Sequence, residues 1–194
     1  MLKNTSNLKR TICILIFSFL FSSCSSKLTY IKAEEIINKY YTALSEKDIN
    51  YQIEQAPVRT IKTTYGSKNK AIKYFEDKFP KDNNDTTIQY TDISNLLVSN
   101  LKKCFGRKIH IVTYSIHSAQ FAPYFNEDAK QFVEKNYGKE NYFFHANTKI
   151  LEITKSDKKV IIYDSDRKWK ITSYDFKSIE NGYGEKVANC IINQ

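Results

Sequence analysis

The chain has 194 residues, of which 41% are hydrophobic and 26% are charged, and it contains only 5 glycines and 3 prolines. This composition supports one domain with a substantial hydrophobic core and excludes a low-complexity or intrinsically disordered protein. The formal charge of +9 comes mainly from lysines interspersed with acidic residues, so the sequence lacks the basic stripe of a nucleic-acid-binding protein, and we expect no nucleic-acid partner.

Residues 1–23 have the three zones of an export signal in the required order. Basic residues come first, an apolar stretch extends from Ile12 to Phe21, and Ser22 and Ser23 precede Cys24. As a helix, the apolar stretch would rise about 15 Å, roughly half of the hydrocarbon core of a membrane. This is too short for an ordinary membrane-spanning helix, so we interpret residues 1–23 as a signal peptide that is removed.

The segment that ends at Cys24 resembles the lipobox of bacterial lipoproteins. The segment reads Leu20, Phe21, Ser22, Ser23, Cys24, and Phe21 stands where these proteins usually carry leucine. The resemblance implies that Cys24 carries the lipid, that residues 24–29 are a short tether, and that residues 30–194 form one membrane-anchored domain. The serines after Cys24 imply the outer membrane of a bacterial cell envelope. An ordinary secretory signal with a free Cys24, or an uncleaved anchor, is the alternative.

Two cysteines remain for the folded domain if Cys13 leaves with the signal and Cys24 is acylated. These are Cys104 and Cys190. In an oxidising envelope they can form a disulfide, which would close a loop of about 85 residues and stabilise the fold by roughly 4 to 5 kcal/mol in the chain-entropy model. Two unrelated buried thiols are the alternative, and no cysteine or histidine spacing indicates a metal site.

The first part of the domain is predicted to contain two helices. Apolar residues recur at helical spacing over Ala33–Glu46. They are Ile36, Ile37, Tyr40, Tyr41 and Leu44. The second helix follows Gly66, with Ser67 as its N-cap, a stripe formed by Ala71, Ile72, Phe75 and Phe79, and Pro80 as its end. Between the two helices, Val58–Tyr65 is predicted to be extended.

The middle of the chain is predicted to be rich in strands. A turn at residues 82–85 precedes strands at Thr86–Ile93 and Lys108–Phe121, which carry β-branched and aromatic residues, whereas Leu96–Val98 is ambiguous. An amphipathic helix is predicted at Glu127–Tyr137, and it ends at Gly138. Its inward-facing residues are expected to be Ala129, Phe132, Val133 and Tyr137.

The last third of the chain is predicted to be an antiparallel meander of three strands. The strands are Lys149–Thr154, Lys159–Asp164 and Lys168–Tyr174, joined by turns at Ser156-Asp157 and Ser165-Asp166. In the third strand, alternation directs Trp169, Ile171 and Ser173 to the core, and Lys168, Lys170, Thr172 and Tyr174 to the other face. Helices followed by an antiparallel sheet indicate an α+β fold.

Three segments together resemble the NTF2-like, or SnoaL-like, superfamily. They are the helix Ile37-x-x-Tyr40-Tyr41-x-Ala43-Leu44 with Asp48 after it, the glycine-led helix Gly66 to Phe75, and the strand Asp166-Arg167-Lys168-Trp169-Lys170-Ile171. The resemblance covers about residues 30–176. It implies N-terminal helices packed on a strongly curved antiparallel sheet that forms a cone. Members of the superfamily include enzymes and proteins that only bind, so the resemblance alone supplies no function.

Enzymes of the cone type use an acid or a base inside the cavity. The candidates for such a cavity are Asp48, Asp92, His110, His117 and Tyr114. His110 and His117 lie seven residues apart on one predicted strand, so they are expected to point to opposite faces and not to form a pair. Asp48 is also explained by a turn after the first helix, and Asp92 by a solvated strand face. The sequence contains no common catalytic motif.

The lack of catalytic motifs favours a membrane-anchored envelope lipoprotein that is not an enzyme and that binds a protein or a small ligand. An immunity or inhibitor protein, which neutralises a toxin or a lytic enzyme, is one specific form. The alternatives are an NTF2-like cavity enzyme that acts on a small apolar molecule, and a structural component of the envelope. We expect no cofactor and no metal, and we expect the lipid on Cys24 to provide the membrane contact.

Overall fold

The computed structural model describes residues 30–78 and 88–193. Its fold is α+β, with helices packed against a strongly curled antiparallel sheet that forms half of a barrel, so the predicted fold class is confirmed. Pro80, the turn at residues 82–85 and the first two residues of the strand predicted at Thr86–Ile93 lie outside the described residues. Within the described part of the chain, no helix has both the length and the apolar character needed to cross a membrane.

The helices occur at both ends of the domain and once in its middle. In the described part of the chain, four helices come first, and the third continues as a π-helical turn. They are α1 Tyr30–Ser45, α2 Ile49–Gln55, α3 Val58–Thr60 with the π-helical turn Ile61–Tyr65, α4 Lys68–Lys78, α5 Glu127–Tyr137, α6 Phe176–Tyr183 and α7 Glu185–Ile192. A short 3-10 turn, Lys139–Asn141, follows α5.

The described residues form a sheet of six strands, which is organised around two long central ones. The strands are β1 Gln89–Val98, β2 Lys102–Cys104, β3 Arg107–Phe121, β4 Tyr142–His145, β5 Ile150–Tyr163 and β6 Trp169–Ser173. β3 pairs with β5 along nearly its whole length, β1 and β2 pair with β3, and β4 and β6 pair with opposite ends of β5. Two register shifts between β1 and β3 mark bulges, which increase the local bend of a sheet.

One end of the sheet is covered on both faces. On one face, α1 places Ala33, Ile37 and Tyr41 against the inward residues of β3 and β5. On the other face, α6 and α7 pack against the alternate residues of the same strands. Consecutive residues such as Ile161 and Ile162 are therefore both fully buried, each stabilising the fold by about 1.5 to 3 kcal/mol. α5 packs its Val133 on the end of the sheet formed by β4 and β5.

The prediction that Val58–Tyr65 is extended was wrong, because this segment is α3 and the π-helical turn. Its helical form is held by contacts with distant residues. The Val58 amide donates to Asp164 Oδ2 at 3.0 Å, and Ile61 is buried with residues of α2 and α4. Pro57, just before α3, packs against Gly182 of α6, where an added Cβ would lie 2.6 Å from Pro57 Cγ. Tertiary packing thus outweighs the local preference.

The predicted meander was wrong at its first turn. Ser156 and Asp157 lie in the middle of β5, which continues without a break because every residue from Ile150 to Ile162 pairs with β3. The second turn, at Ser165-Asp166, is present between β5 and β6. Because β5 is continuous, its alternation directs the Asp157 carboxylate to the same face as Tyr114, its partner across the strands.

The burial of two side chains, Lys170 and Phe132, differed from the prediction. Lys170 was predicted on the outer face of β6, but its side chain is only 5% exposed, because α2 passes beside this edge strand and the Glu54 carbonyl accepts from its Nζ. Phe132 was predicted to face inward, yet it is 63% exposed on α5. Ile171 is buried as expected, whereas Trp169 is only partly buried against the core.

A disulfide joins Cys104, at the end of β2, to Cys190 in α7. The two Cα atoms are 6.0 Å apart, and the two cysteines are 86 positions apart in the sequence. Cys104 is fully buried in the cluster where α6 and α7 meet the sheet. The bond therefore ties the C-terminal helices to the edge of the sheet.

Candidate ligand-binding clefts

Asp48 and Asp92, the two aspartates proposed as cavity residues, lie apart and have other roles. Asp48 is the N-cap of α2, where its Oδ1 accepts from the Tyr51 amide at 3.0 Å. Asp92 is exposed on β1, opposite His117 of β3. Asp48 therefore begins a helix, and Asp92 lies on a solvated strand face, which are the simple roles considered for them above.

The histidines of β3 lie on opposite faces of the sheet, as their spacing of seven requires. His110 is buried, its Nδ1 lies 2.8 Å from the Ser99 carbonyl oxygen, and its Nε2 has no hydrogen-bond partner within the described residues. His117 is on the face opposite α1, with its Nε2 3.8 Å from Glu152 Oε2. His145 of β4 approaches the other oxygen of Glu152 at 3.1 Å. Among the residues described, no cluster of three or more such side chains is arranged to hold a metal ion.

Tyr114 belongs to a hydrogen-bond network in the core that the sequence did not reveal. The Tyr41 hydroxyl donates to Asp157 Oδ2 at 2.5 Å, and the same carboxylate oxygen lies 3.2 Å from the Tyr114 hydroxyl. The two phenol oxygens are 2.8 Å apart. The residues come from α1, β3 and β5, and Asp157 had been assigned to a turn. Only the pairing of β3 with β5 brings the three together.

The network holds one ionised carboxylate between two neutral phenols. Burial is the main reason why the pKa values of Tyr41 and Tyr114 are raised well above the ordinary value, so both remain hydrogen-bond donors. Partial burial would raise the pKa of Asp157, but the hydrogen bond from Tyr41 and the charge of Lys159 outweigh it and lower that pKa overall. The Lys159 Nζ lies 3.5 Å from Asp157 Oδ2. The network is thus a satisfied polar part of the core.

The first cleft of interest lies between the N-terminal helices and β6 and has a volume of about 300 Å³. Its walls are mainly apolar and aromatic, from Ile49 and Ile53 of α2, Ile61 and Tyr65 of the π-helical turn, Phe75 of α4 and Ile171 of β6. Polar groups are contributed by Tyr40, Gln52, Gln55, Thr60, Thr172 and Ser173. None of the described residues that line the cleft is an Asp, Glu, His, Cys, Lys or Arg. We call it the apolar cleft.

Gln55 brings a buried hydrogen-bond acceptor to the lining of the apolar cleft. Its Oε1 is buried and has no partner in the described part of the chain. A buried acceptor without a partner destabilises a fold by about 1 to 3 kcal/mol, so such groups are uncommon in native proteins. Its amide is therefore a suitable place for a ligand that carries a hydrogen-bond donor.

A second cleft, of about 410 Å³, shares Ile53, Ala56 and Ile61 with the first. Four lysines and two acidic residues line it, and we call it the basic cleft. They are Lys62, Lys68, Lys168 and Lys170, with Glu54 and Asp166. Lys168 Nζ lies 2.5 Å from Glu54 Oε1, and Lys170 Nζ lies 2.8 Å from Asp166 Oδ2. The hydrogen bond from Lys168 is the main reason why the pKa of the partly exposed Glu54 carboxyl is lowered.

Neither cleft was predicted from the sequence. The π-helical turn borders both, and π-helical turns occur frequently at functional sites. The clefts were missed because Val58–Tyr65 was predicted to be a strand. The helical form of this segment is what places its side chains in the walls of the two clefts. Lys170 was missed for a related reason, since alternation along β6 directed it to solvent.

Comparison with known proteins does not identify a function for either cleft. No family model matches the chain, and neither the curated proteins nor the solved structures include a match to it. The predicted relationship to the NTF2-like superfamily therefore stays a prediction.

Proposed function

We propose that this chain is a lipid-anchored protein of the bacterial cell envelope that binds a small, mainly apolar ligand and does not transform it. The lining of the apolar cleft carries this proposal. The cleft offers hydrophobic and aromatic contacts with a few polar groups, which is the usual composition of a small-molecule site, and Tyr40 and Tyr65 are the ionisable residues in its lining. Acid–base catalysis near neutral pH usually uses a histidine, a carboxylate, a lysine or a cysteine.

The expected ligand follows from the size and the polarity of the apolar cleft. A volume of about 300 Å³ is at the lower end of the range in which proteins hold small molecules. The apolar walls favour a hydrocarbon or aromatic body, and Gln55 favours a single hydrogen-bond donor on it. A ligand with a charged group in the apolar cleft would lack a counter-charge there.

The anchor supports a role at a membrane surface. Cys24 and the first described residue of α1, Tyr30, are six positions apart. A lipid on Cys24 would therefore hold the start of α1 within about 20 Å of the membrane, since an extended chain reaches at most about 3.6 Å per residue. A protein in that place meets hydrophobic molecules that partition into or leave the bilayer.

The binding test uses the chain from residue 24 with Cys24→Ala and a neutral fluorescent probe, N-phenyl-1-naphthylamine. We expect saturable binding to the unsubstituted domain. Thr172→Leu, which fills part of the apolar cleft, should weaken binding by about tenfold or more, which corresponds to about 1.4 kcal/mol. Thr113→Leu makes the same change on an exposed position of β3 and is the matched control. No saturable binding, or equal effects of the two substitutions in folded protein, would contradict the proposal.

A protein partner is the second candidate, and the face of the sheet opposite α1 favours it. Phe121 and Phe143 are 51% and 61% exposed on this face, close to the His117, His145 and Glu152 cluster. A photoreactive amino acid at position 143 should give a discrete cross-linked product in intact cells. The same group at the exposed position 186 of α7 should not. The absence of a product specific to position 143 would count against this candidate.

The enzyme alternative has one site to test, the network of Tyr41, Tyr114 and Asp157. None of these three residues lines the apolar cleft or the basic cleft. If the network were catalytic, Asp157→Asn would abolish an activity on a bound apolar molecule. If it is structural, the same substitution lowers stability and leaves binding of the neutral probe to folded protein unchanged. We favour the structural role because all three groups already satisfy one another.

A further inference from the structure

We infer that the basic cleft is a separate binding site for an organic anion, namely a phosphate or a carboxylate carried on a small apolar body. The basic cleft shares three wall residues with the apolar cleft but has its own lysines, so binding there does not require a ligand in the apolar cleft. Three features of the basic cleft support the site: its net positive charge, two lysines that form no ion pair among the described residues, and its apolar lining.

The charge balance of the basic cleft is positive even after its internal ion pairs are counted. Lys168 and Lys170 are paired with Glu54 and Asp166, and these are the two acidic residues of the lining. Among the described residues, Lys62 and Lys68 form no ion pair, although the charge of Lys68 helps to lower the pKa of the Glu54 carboxyl. Two positive charges are therefore available at the rim of a concave site, where low-dielectric walls strengthen their attraction for an anion.

The backbone around the basic cleft adds to its positive potential. Lys68 is the first residue of α4, an eleven-residue helix, and Gly66 and Ser67 of the lining lie directly before it. The N-terminus of a helix carries a partial positive charge, so Lys68 adds to the positive potential there, which the Glu54 carboxylate offsets only in part. Lys170 adds a buried ammonium that lines the same cleft. An anion in the cleft would reduce the repulsion among these groups.

The floor of the basic cleft determines the kind of anion. Ile53, Ala56, Val58 and Ile61 are the apolar part of the lining, which we call the floor of the cleft. A small inorganic ion would leave this surface in contact with water, whereas an anion with a short hydrocarbon chain would cover it. Lysine ammonium groups bind phosphate and carboxylate as point charges, so the site accepts either head group.

The experiment measures binding of hexyl phosphate by calorimetry at low salt, with the chain from residue 24 that carries Cys24→Ala. Hexanol and inorganic phosphate serve as the neutral probe and the bare-ion probe. We expect hexyl phosphate to bind at least about tenfold more tightly than either, and its affinity to fall as salt is added, because salt screens exposed charges. Equal binding of hexanol would overturn the role of the lysines, and equal binding of inorganic phosphate would overturn the role of the apolar floor.

Two double variants test the location of the site. Lys62→Ala with Lys68→Ala should weaken hexyl phosphate binding by about tenfold or more. Lys70→Ala with Lys73→Ala removes the same charge from exposed positions of α4 that do not line the basic cleft, and binding should remain within about twofold. All four lysines are exposed, so both variants should fold, which thermal melts check. Equal losses in the two variants would show general surface attraction and overturn the inference.

The binding tests of the two clefts can be told apart by substitutions that affect only one cleft. Thr172→Leu fills part of the apolar cleft and lies outside the lining of the basic cleft, so it should leave hexyl phosphate binding unchanged. The lysine pair should leave binding of the neutral naphthylamine probe unchanged. No saturable binding of hexyl phosphate to the chain without these substitutions would refute the basic cleft alone.

Discussion

Replacement of Asp164 by alanine should strongly destabilise the fold, because its buried carboxylate binds three other groups. The Asp164 side chain is only 2% exposed, at the end of β5. Its Oδ1 accepts from Arg107 Nη1 at 2.8 Å and from the Ser165 amide at 2.6 Å, and its Oδ2 accepts from the Val58 amide at 3.0 Å. The carboxylate thus connects α3, β3 and the β5–β6 turn.

The magnitude follows from what the substitution leaves behind. Breaking a buried ion pair by removing one partner destabilises a protein by about 3 to 5 kcal/mol. The Arg107 side chain is 29% exposed and packs over the Tyr183 ring, so part of its charge can be solvated after the loss. We therefore expect about 3 kcal/mol for Asp164→Ala, a large share of the 5 to 15 kcal/mol typical of a whole domain.

The assay is equilibrium unfolding in urea, with the disulfide intact, of the chain that carries Cys24→Ala. Asp92→Ala is the matched control, because Asp92 is exposed on β1 and its loss should change the free energy of unfolding by less than about 0.5 kcal/mol. A loss below about 1 kcal/mol for Asp164→Ala would refute the assigned role of this carboxylate in holding α3 to the sheet.

The pH dependence gives a second readout of the same carboxylate. Partial burial would raise the pKa of Asp164, but the amides of Val58 and Ser165 and the Arg107 guanidinium outweigh it, so the pKa is lowered from its ordinary value of 3.8. A group with a lowered pKa in the folded state contributes stability above its unfolded pKa and loses it as the pH falls through the folded pKa. The stability difference between the parent and Asp164→Ala should be complete above about pH 5 and should narrow below 3.8.

Three further predictions concern the anchor, the disulfide and the core. A fatty-acid analogue should label the parent chain in cells, and Cys24→Ala should abolish the label, so label that persists in this variant would contradict acylation there. Peptide mapping without reductant should recover Cys104 and Cys190 in one linked species, and replacing both by alanine should lower the free energy of unfolding by about 4 to 5 kcal/mol. Free thiols at both positions would refute the bond. Trp169→Ala should destabilise by about 2 to 4 kcal/mol, because its ring is only partly buried against Tyr163 and His110, and a denaturant melt showing less than about 1 kcal/mol would contradict this contact.

Local patterns in the sequence determined several elements well. The apolar spacing of Ala33–Glu46 predicted α1 and its buried face, Glu127–Tyr137 matches the bounds of α5, and Lys108–Phe121 lies within β3. Ser67 accepts from the Lys70 amide at 3.3 Å, as its predicted role as the N-cap requires. Each of these signals comes from residues within one helix or one strand. Such signals do not depend on which distant segment packs against them.

The tertiary structure alone decided the clefts, the core network and the course of β5. Local composition predicts a turn at Asp157. Its pairing with Tyr114, 43 positions earlier, instead keeps β5 extended and directs the Asp157 carboxylate inward. The Val58 amide finds its acceptor 106 positions later at Asp164, which helps to make α3 a helix. Sequence patterns report the preferences of neighbouring residues, whereas these contacts depend on burial and hydrogen bonds between distant segments. Once the chain folds, the free energy of those contacts exceeds the small local preferences that the sequence displays.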